Sequence, residues 1–153
     1  SASAGELMIC VNRQARHNYF IDEVFEAGLV LVGSEVKSLR DGKANLVDSY
    51  ARIHKGEAFL VNSHISAYPG ANQFNHEPTR LRKLLLHERE IERLTGKTKE
   101  KGLTLVPLRM YFKNGRAKVE LGLARGKKNY DKRETLKRNE AAREMDRSMR
   151  ARR

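Results

Sequence analysis

The chain has 153 residues, enough for one domain of ordinary size with an appendage, and 31 Lys and Arg against 19 Asp and Glu give it a formal net charge of +12. This excess of cations indicates a polyanionic partner, but the longest apolar runs, at 7–11 and 27–32, are too short to span a membrane. Cys10 is the single cysteine, which excludes an internal disulfide and a cysteine metal cluster and favours a reducing, cytoplasmic compartment.

The first half of the chain predicts a strand and a short helix. Residues 1–5, SASAG, lack an initiator methionine, and we interpret them as a leader left by processing or an expression tag. The apolar residues of 17–33, HNYFIDEVFEAGLVLVG, fit a helix about as well, but the aromatic and β-branched content favours a long strand. The next segment, GSEVKSLRDG, predicts a short helix with Ser34 as its N-cap and Gly42 as its stop.

A first hairpin is predicted at 49–62, SYARIHKGEAFLVN, with Lys55 and Gly56 at the turn. The following SHISAYPG adds a short strand that ends at Pro69-Gly70. A helix is predicted over 87–102, where acids come first and basic residues last, as the helix dipole prefers. Its apolar stripe would be formed by Ile91, Leu94 and Thr98.

The clearest signal is a second hairpin over 103–126. Two segments of alternating apolar residues flank Asn114-Gly115, the pair that best tolerates the positive φ angles of a type I′ turn. Pro107 cannot donate to a sheet ladder, so its strand has an edge or a bulge there. The predicted buried positions on the two strands are Val106, Leu108, Met110, Phe112, Ala117, Val119, Leu121 and Leu123.

The last segment, 127–153, differs in kind. It holds 11 Lys and Arg against 5 Asp and Glu, and few large apolar side chains, so we expect it to be disordered when free. It also has no proline and is rich in Ala, Arg, Lys and Glu, which favours a helix that forms on contact with a partner. The predicted organisation is a leader at 1–5, a domain at 6–126 and a basic tail at 127–153.

Several short strands with few helices predict a mainly β fold. We expect a closed antiparallel barrel of the oligonucleotide-binding (OB) kind with flanking short helices, although the pattern alone also fits other β-rich domains.

No catalytic or metal-binding pattern is found. The window LGLARGKK lacks the first glycine and the hydroxyl residue of a phosphate-binding loop, and the five histidines have no metal-ligand spacing. We therefore expect a protein that is not an enzyme and that has neither metal nor cofactor.

Nucleic-acid binding has more support. Arg80, Arg82 and Lys83 lie beside an apolar run, and NRQARHNYF interleaves basic residues with Tyr19 and Phe20. Cations neutralise phosphates and aromatic rings stack on unpaired bases. Taken locally, these charge clusters are more typical of solvated surface, and we expect Tyr19 and Phe20 to belong to the core. The net charge of the whole chain favours RNA or DNA, and the absence of a helix that reads the major groove favours RNA.

Four segments carry a family resemblance: NRQARHNYFI, EAGLVLVGSEVKSLRDGKANL with DSYARI, PTRLRKLLLHERE, and KGLTLVPLRMYFKNGRAKVELGLARGKKNYDKR. In this order and spacing they strongly resemble the bacterial SsrA-binding protein family (small protein B, SmpB). The resemblance covers nearly all of residues 12–133. Its most specific pieces are EVKSLR at 35–40 and GKKxxDKR at 126–133.

The resemblance implies a monomeric, non-enzymatic RNA-binding protein with an OB-type barrel. Such proteins hold the tRNA-like domain of transfer-messenger RNA (tmRNA) and bring it to stalled ribosomes for trans-translation, in company with elongation factor Tu and, through the RNA, alanyl-tRNA synthetase. Carried over by motif, the barrel residues that contact the tRNA-like domain are Asn12, Arg16, His17, Glu26, Lys37, Leu85 and His87. Leu85 could also belong to the core, and Glu26 could be an ordinary polar strand residue.

The resemblance further implies that the tail enters the decoding centre and the empty mRNA channel of the small ribosomal subunit, where it becomes helical. The residues with this role would be Lys127, Lys128, Tyr130, Asp131, Lys132 and Arg133. A flexible polycation suits an RNA-walled channel, and Tyr130 offers a ring for stacking. The alternatives are a ribosomal or general RNA-binding OB-domain protein with a basic extension and an enzyme that acts on RNA.

Overall fold

The computed structural model describes residues 5–71, 75–100, 102–127, 140 and 143–147. Nine strands and three helices lie between residues 6 and 126 of the part described. In order they are β1 (Glu6–Val11), α1 (Arg13–Asn18), β2 (Tyr19–Leu29), α2 (Gly33–Arg40), β3 (Ala44–Asn45), β4 (Tyr50–His54), β5 (Glu57–Val61), β6 (His64–Ile65), β7 (Arg82–Leu85), α3 (Glu88–Lys97), β8 (Leu103–Lys113) and β9 (Arg116–Gly126).

Six of the strands close into a ring. The hydrogen-bonded order is β8-β4-β5-β7-β2-β9, and β9 pairs back with β8, so the sheet becomes an antiparallel barrel with β1 added on β8. The side chains that point inward form one apolar core, which includes Phe25, Leu60 and Leu121. The predicted mainly β barrel with flanking short helices is confirmed.

The β8–β9 hairpin is the longest ladder of the barrel. Asn114 and Gly115 have φ angles of 51° and 79°, as a type I′ turn requires, and the pairing runs from Lys113–Arg116 to Leu103–Arg125. The predicted hairpin and its turn are therefore confirmed.

The bulge expected near Pro107 is present between Pro107 and Arg109, and it changes which side chains share a face. Met110 and Phe112 lie in the barrel core, whereas Val106 and Leu108 pack outside it. All four predicted positions are buried, so their burial is confirmed. They do not share one face, however, because the extra residue reverses the inward and outward alternation. On β9 the prediction is confirmed, since Val119, Leu121 and Leu123 all join the core and Ala117 packs against it.

The outward side of this bulge supports α1. Val106 and Leu108 form a small second cluster with Ala15 of α1 and Ala124 of β9. Neither α1 nor β1 nor β7 is predicted from the sequence. The helix is short and mostly polar, and its last residues, 17–18, fall within the stretch predicted as a strand.

The other predicted elements are found with small changes. Lys55 and Gly56 have positive φ angles at the β4–β5 turn, which confirms that hairpin. The short strand is β6, which ends at Ile65 and pairs with β3 in a separate two-stranded sheet. The long strand and the α3 helix are confirmed, and Leu94 of α3 is fully buried.

The helix α2 begins earlier than predicted. Its N-cap is Val32, so Ser34 lies inside the first turn, where its hydroxyl pairs with Nδ1 of His76 at 2.8 Å. The Val32 amide donates instead to Oε1 of Glu35 at 2.9 Å, which satisfies an N–H that the helix leaves free. Gly42 has a φ of 71° and ends the helix as predicted.

Glu35 also forms the most deeply buried ion pair of the described residues. Its Oε2 accepts a 2.6 Å bond from Nε of Arg82, and both side chains are 0% exposed. Arg80 donates to Glu35 Oε1 at 2.6 Å, while Arg82 donates further to the carbonyl and hydroxyl of Ser63 and to the carbonyl of Pro78. These bonds join α2, β7 and the segment between β5 and β7.

The pKa of Glu35 reflects both its burial and its partners. Burial alone would raise the pKa, but the hydrogen bonds from Arg80, the Val32 amide and Arg82 outweigh it and hold the pKa below its ordinary value of 4.5. The carboxylate is therefore ionised at neutral pH and matched to the two guanidinium groups.

We expect Glu35→Gln to lower the free energy of unfolding by about 3 kcal/mol at neutral pH, because it leaves two guanidinium groups without their counter-charge. Since the folded pKa of Glu35 is depressed, its stabilising contribution is present above pH 4.5 and is lost as the pH falls through the folded value. Urea unfolding across pH 3–7 should therefore show wild type and variant converging in acid.

The matched control is Glu57→Gln, which removes an exposed pair with Lys83 whose side chains are 52% and 45% exposed. We expect a change of about 1 kcal/mol or less. Equal destabilisation by the two variants would contradict the importance of the buried pair.

Candidate nucleic-acid interface

The predicted site residues lie around two hollows on the barrel surface. The first, which we call the end cavity, has a volume of about 510 Å³ and brings together Glu26, Leu85 and His87. The second, which we call the α1 groove, has a volume of about 160 Å³ and contains Asn12 and Arg16. The residues predicted to bind RNA are therefore divided between two neighbouring hollows and do not form a single site.

The end cavity opens between β2, β7, α2 and the β8–β9 turn. Leu85 is 54% exposed at its edge, while the adjacent Leu84 is in the core, so Leu85 faces outward. It is paired with Gly28 of β2, where a Cβ atom would come within 3.3 Å of the Leu85 Cβ. The glycine thus lets the leucine lie across β2 and form one wall.

Glu26 projects from the outer face of β2. Its Oε2 accepts a 2.5 Å hydrogen bond from the hydroxyl of Tyr111 and a 3.3 Å bond from Nζ of Lys113. The Tyr111 hydrogen bond is the main reason that the pKa of Glu26 is lowered. Burial opposes it, and the hydrogen bond and charge of Lys113 lower the pKa further. Glu26 is therefore a fixed carboxylate in an otherwise cationic surrounding.

Tyr111 is buried, and it connects the two hollows. Burial and the bond to Glu26 raise its pKa well above the ordinary value, so the hydroxyl stays protonated and donates. The guanidinium of Arg109 lies 4.1 Å from the centre of its ring and donates to Glu120 at 2.8 Å and to Glu6 at 3.4 Å. Arg109 and Glu120 line the α1 groove, so one row of polar side chains runs from there to the end cavity.

This row of polar side chains is not among the features predicted from the sequence. The signal was nevertheless present, because counting back from the predicted Asn114-Gly115 turn places Arg109 opposite Glu120 and Tyr111 opposite Lys118, as observed. Polar residues that face each other in the middle of an apolar hairpin indicate an interaction on the outer face.

In the α1 groove, Asn12 has a structural task. Its backbone N–H donates to the Leu108 carbonyl at 2.8 Å, and its side-chain amide donates to the Pro107 carbonyl at 2.9 Å. The start of α1 is thereby fixed to the β8 bulge. Arg16 and His17, on the same helix, are exposed to solvent, and Arg16 reaches the groove.

The end of β9 lies against the same helix. Nζ of Lys127 donates to the Arg16 carbonyl at 2.9 Å and lies 5.1 Å from the centre of the Phe20 ring. The tail residues predicted for the ribosome beyond it, Lys128, Tyr130, Asp131, Lys132 and Arg133, are outside the described residues. In the rest of the tail, 140 and 143–147 are helical and exposed.

Lys37 and His87 complete the predicted set. Lys37 is exposed on α2 and its Nζ lies 5.6 Å from the centre of the Tyr68 ring, beside the end cavity rather than in it. His87 is the exposed N-cap of α3; its backbone N–H donates to Oε1 of Glu90 at 3.0 Å. Its ring is thus placed at the cavity by the start of the helix.

Other cations proposed from the sequence have different partners. Arg82 is buried with Glu35 and cannot reach a phosphate, while Lys83 pairs with Glu57 at 3.1 Å. Phe20 is 41% exposed, so the prediction that it belongs to the core is wrong, whereas Tyr19 packs against the outer cluster as expected. Phe20 lies on β2 beside the bulge at 21–23, where inward and outward positions change.

The described residues contain no group of three His, Cys, Asp or Glu side chains arranged to hold a metal ion. Burial raises the pKa of the Cys10 thiol to about 11, which makes it a poor nucleophile at neutral pH. None of the helices described is long and apolar enough to cross a membrane.

Comparison with known proteins gives matches along nearly the whole chain. The family model described as "SmpB protein" matches residues 9–151. An SsrA-binding protein from Desulforudis audaxviator is 64% identical over 145 residues, which are 95% of this chain and 95% of that protein. An SsrA-binding protein from Geobacillus thermodenitrificans is 61% identical over 145 residues, 95% of this chain and 94% of its own length.

A solved structure described as "tmRNA-SmpB: a journey to the center of the bacterial ribosome" contains a similar chain. The TM-score is 0.66 and the sequence identity 54%, and the match covers 81% of this chain and 85% of the other.

We expect Tyr111→Phe to raise the pKa of Glu26 towards the ordinary 4.5, because the variant removes the largest influence that lowers it and keeps the ring beneath Arg109. Carboxyl ¹³C NMR titration measures this pKa directly. Lys113→Met serves as a comparison and should raise the pKa less. An unchanged pKa in Tyr111→Phe would show that the hydroxyl does not hold the carboxylate.

Proposed function

We infer the function of this chain from its membership of the SmpB family, to which it belongs together with the SsrA-binding proteins. It binds tmRNA, also called SsrA RNA, through the tRNA-like domain and delivers it to stalled ribosomes for trans-translation. The observation that carries this conclusion is the extent of the similarity, which includes the barrel, both hollows and most of the tail.

The surface chemistry supports RNA as the ligand. The net charge of +12 provides the sequence-independent attraction to phosphates. The end cavity and the α1 groove add exposed cations, a histidine and apolar side chains, which are the groups that recognise unpaired nucleotides. A barrel with this surface recognises the shape and the single-stranded parts of a folded RNA rather than a duplex groove.

We propose that the side chains in contact with the tRNA-like domain are those of Arg16, His17, Glu26, Lys37, Leu85 and His87. Asn12 holds α1 in position for these contacts. Arg16, Lys37 and His87 are exposed and can reach phosphates or base edges. Leu85 offers an apolar surface at the cavity edge. Glu26 is the one residue of this set with a negative charge, which RNA phosphates repel. Hydrogen bonds that its carboxylate accepts from the amino groups of bases would offset this repulsion.

The tail serves the ribosome. The tail begins at Lys127, whose Nζ donates to the Arg16 carbonyl of α1, so its first residue lies beside the proposed RNA-binding surface. Lys128, Asp131, Lys132 and Arg133 enter the decoding centre and the empty mRNA channel, where Tyr130 stacks on a ribosomal base. Cationic segments of this composition gain order when RNA neutralises their charge.

The protein acts in the cytoplasm as an adaptor and not as an enzyme. It contacts elongation factor Tu and alanyl-tRNA synthetase indirectly, through the RNA that it holds.

Ending the chain after Gly126 separates the two tasks. We expect the shortened protein to bind the tRNA-like domain of tmRNA with an affinity within about threefold of the full chain at moderate salt, because the barrel contacts are kept. Peptide tagging on stalled ribosomes should be lost, because the decoding-centre contacts are gone. Filter binding and an in vitro tagging assay measure the two properties.

The control for the tail is a full-length chain with Arg52→Gln, an exposed substitution on β4 away from both hollows. It should retain both binding and tagging. Tagging by the shortened protein would contradict the role of the tail, and failure of the full chain to bind the tRNA-like domain would contradict the proposed function.

A further inference from the structure

We propose that Lys127 is a positioning residue, which holds the first residue of the basic tail against the end of α1 and does not itself contact RNA. Its ammonium group thereby fixes where the tail leaves the barrel relative to the helix that carries Arg16 and His17. This role rests on the proposed function and adds to it a physical connection between the two RNA-binding parts of the protein. We call the contacts of Lys127 with Arg16 and Phe20 the α1–tail junction.

The first contact of the junction stabilises the C-terminal end of α1. This helix has six residues, too few to be stable without tertiary contacts. The last carbonyl groups of a helix have no partner within it, and that of Arg16 accepts from Nζ of Lys127 at 2.9 Å. A positive charge at this end also interacts favourably with the helix dipole. Since Asn12 fixes the start of α1 to the β8 bulge, both ends of the helix are held by tertiary contacts.

The second contact gives a reason for the exposure of Phe20. Nζ of Lys127 lies 5.1 Å from the centre of the Phe20 ring, within the distance of about 6 Å at which a cation is attracted to an aromatic face. Phe20 pairs with Arg125 in the β2–β9 ladder, and Lys127 lies two residues beyond Arg125, so its side chain reaches the same face of the sheet. The ring, 41% exposed, therefore holds the ammonium group from outside the core.

The junction lies where the sheet no longer sets the direction of the chain. The last pair of the β2–β9 ladder is Tyr19 with Gly126, and Lys127 is the next residue. Fixing this residue to α1 restricts the volume that the following cationic segment explores around the bound RNA. The restriction raises the effective concentration of the tail at a channel close to α1, in the way that a linker of matched length does. Loss of the junction should therefore weaken the action of the tail more than RNA binding by the barrel.

The junction is tested first in the full-length protein without RNA, by NMR. The ring current of Phe20 should shift the ε-methylene protons of Lys127 upfield, and Phe20→Leu should remove this shift. In Lys127→Met, the Tyr19 amide, which donates to the Ala15 carbonyl at the end of α1, should exchange its hydrogen about tenfold faster, as the loss of one hydrogen bond to a charged group implies. Val24→Ala, on the same face of β2 and 47% exposed in the wild type, should leave both signals unchanged.

The second test measures tagging on stalled ribosomes in vitro. We expect Lys127→Met to lower the tagging rate about tenfold and Phe20→Leu about threefold, because the hydrogen bond contributes more than the ring contact. Both variants should bind the tRNA-like domain of tmRNA within about threefold of the wild type. Lys127→Arg should tag normally, since a guanidinium also donates to a carbonyl and lies over an aromatic ring. The control for lost charge is Lys55→Met, at the exposed β4–β5 turn, which should tag like the wild type.

Two readouts separate positioning from direct contact with RNA. A lysine that neutralises a phosphate contributes about 0.7–0.9 to the slope of log affinity against log salt concentration. We expect the slope for the tRNA-like domain and for the ribosome to be the same in Lys127→Met as in the wild type, and a slope reduced by that amount would overturn the positioning role. Phe20→Leu should have no further effect on tagging when combined with Lys127→Met, because the ring acts through the ammonium group. An equal effect of Phe20→Leu in both backgrounds would contradict the junction.

The remaining outcomes distinguish this inference from the proposed function. If Lys127→Met lowered RNA affinity and tagging by the same factor, Lys127 would support α1 alone, and its role in positioning the tail would be rejected. Tagging by Lys127→Met and Phe20→Leu at the wild-type rate would likewise reject this inference alone. A wild-type chain that neither binds the tRNA-like domain nor supports tagging would reject the proposed function, while the NMR signals would still report whether the junction forms.

Discussion

The buried ion pair between Glu35 and Arg82 is the constraint on which the rest of the structure depends. Removing two charges from water costs several kcal/mol for each, so the pair is tolerated only with its full set of hydrogen bonds in place. Those bonds fix α2 against β7. Val36 follows Glu35 and Leu85 lies three residues beyond Arg82, so the same bonds also fix two walls of the end cavity.

A second constraint is the bulge in β8, which divides the outer face of this strand into an apolar part that packs against α1 and a polar part that leads to Glu26. On one side of it Val106 and Leu108 face outward and bind α1, which Asn12 anchors to the bulge itself. On the other side Arg109 and Tyr111 face outward and hold a polar row that ends at Glu26. A helix with exposed cations and a pocket with a fixed carboxylate are thereby joined on one sheet.

The elements that the sequence predicts well are those decided locally. Turns at 55–56 and 114–115 follow from the residues that accept positive φ angles, and the long hairpin follows from its alternation. The strand β7 could not be predicted, because the burial of Arg82 depends on an acid 47 positions earlier in the chain. The RNA contacts proposed for the barrel rest on the family resemblance. The hydrogen bond from Asn12 to Pro107 depends on the β8 bulge, and only the three-dimensional structure shows which side chains that bulge turns outward.

The central claim is that RNA binds the face of the barrel that carries α1 and the end cavity. Amide hydrogen exchange of the full-length protein, with and without the tRNA-like domain of tmRNA, tests it most directly. The account predicts slower exchange on RNA binding in α1, at 26–29 and at 85–87, with the β4–β5 turn at 55–56 unchanged. Slower exchange concentrated at that turn, with α1 and the end cavity unaffected, would contradict it.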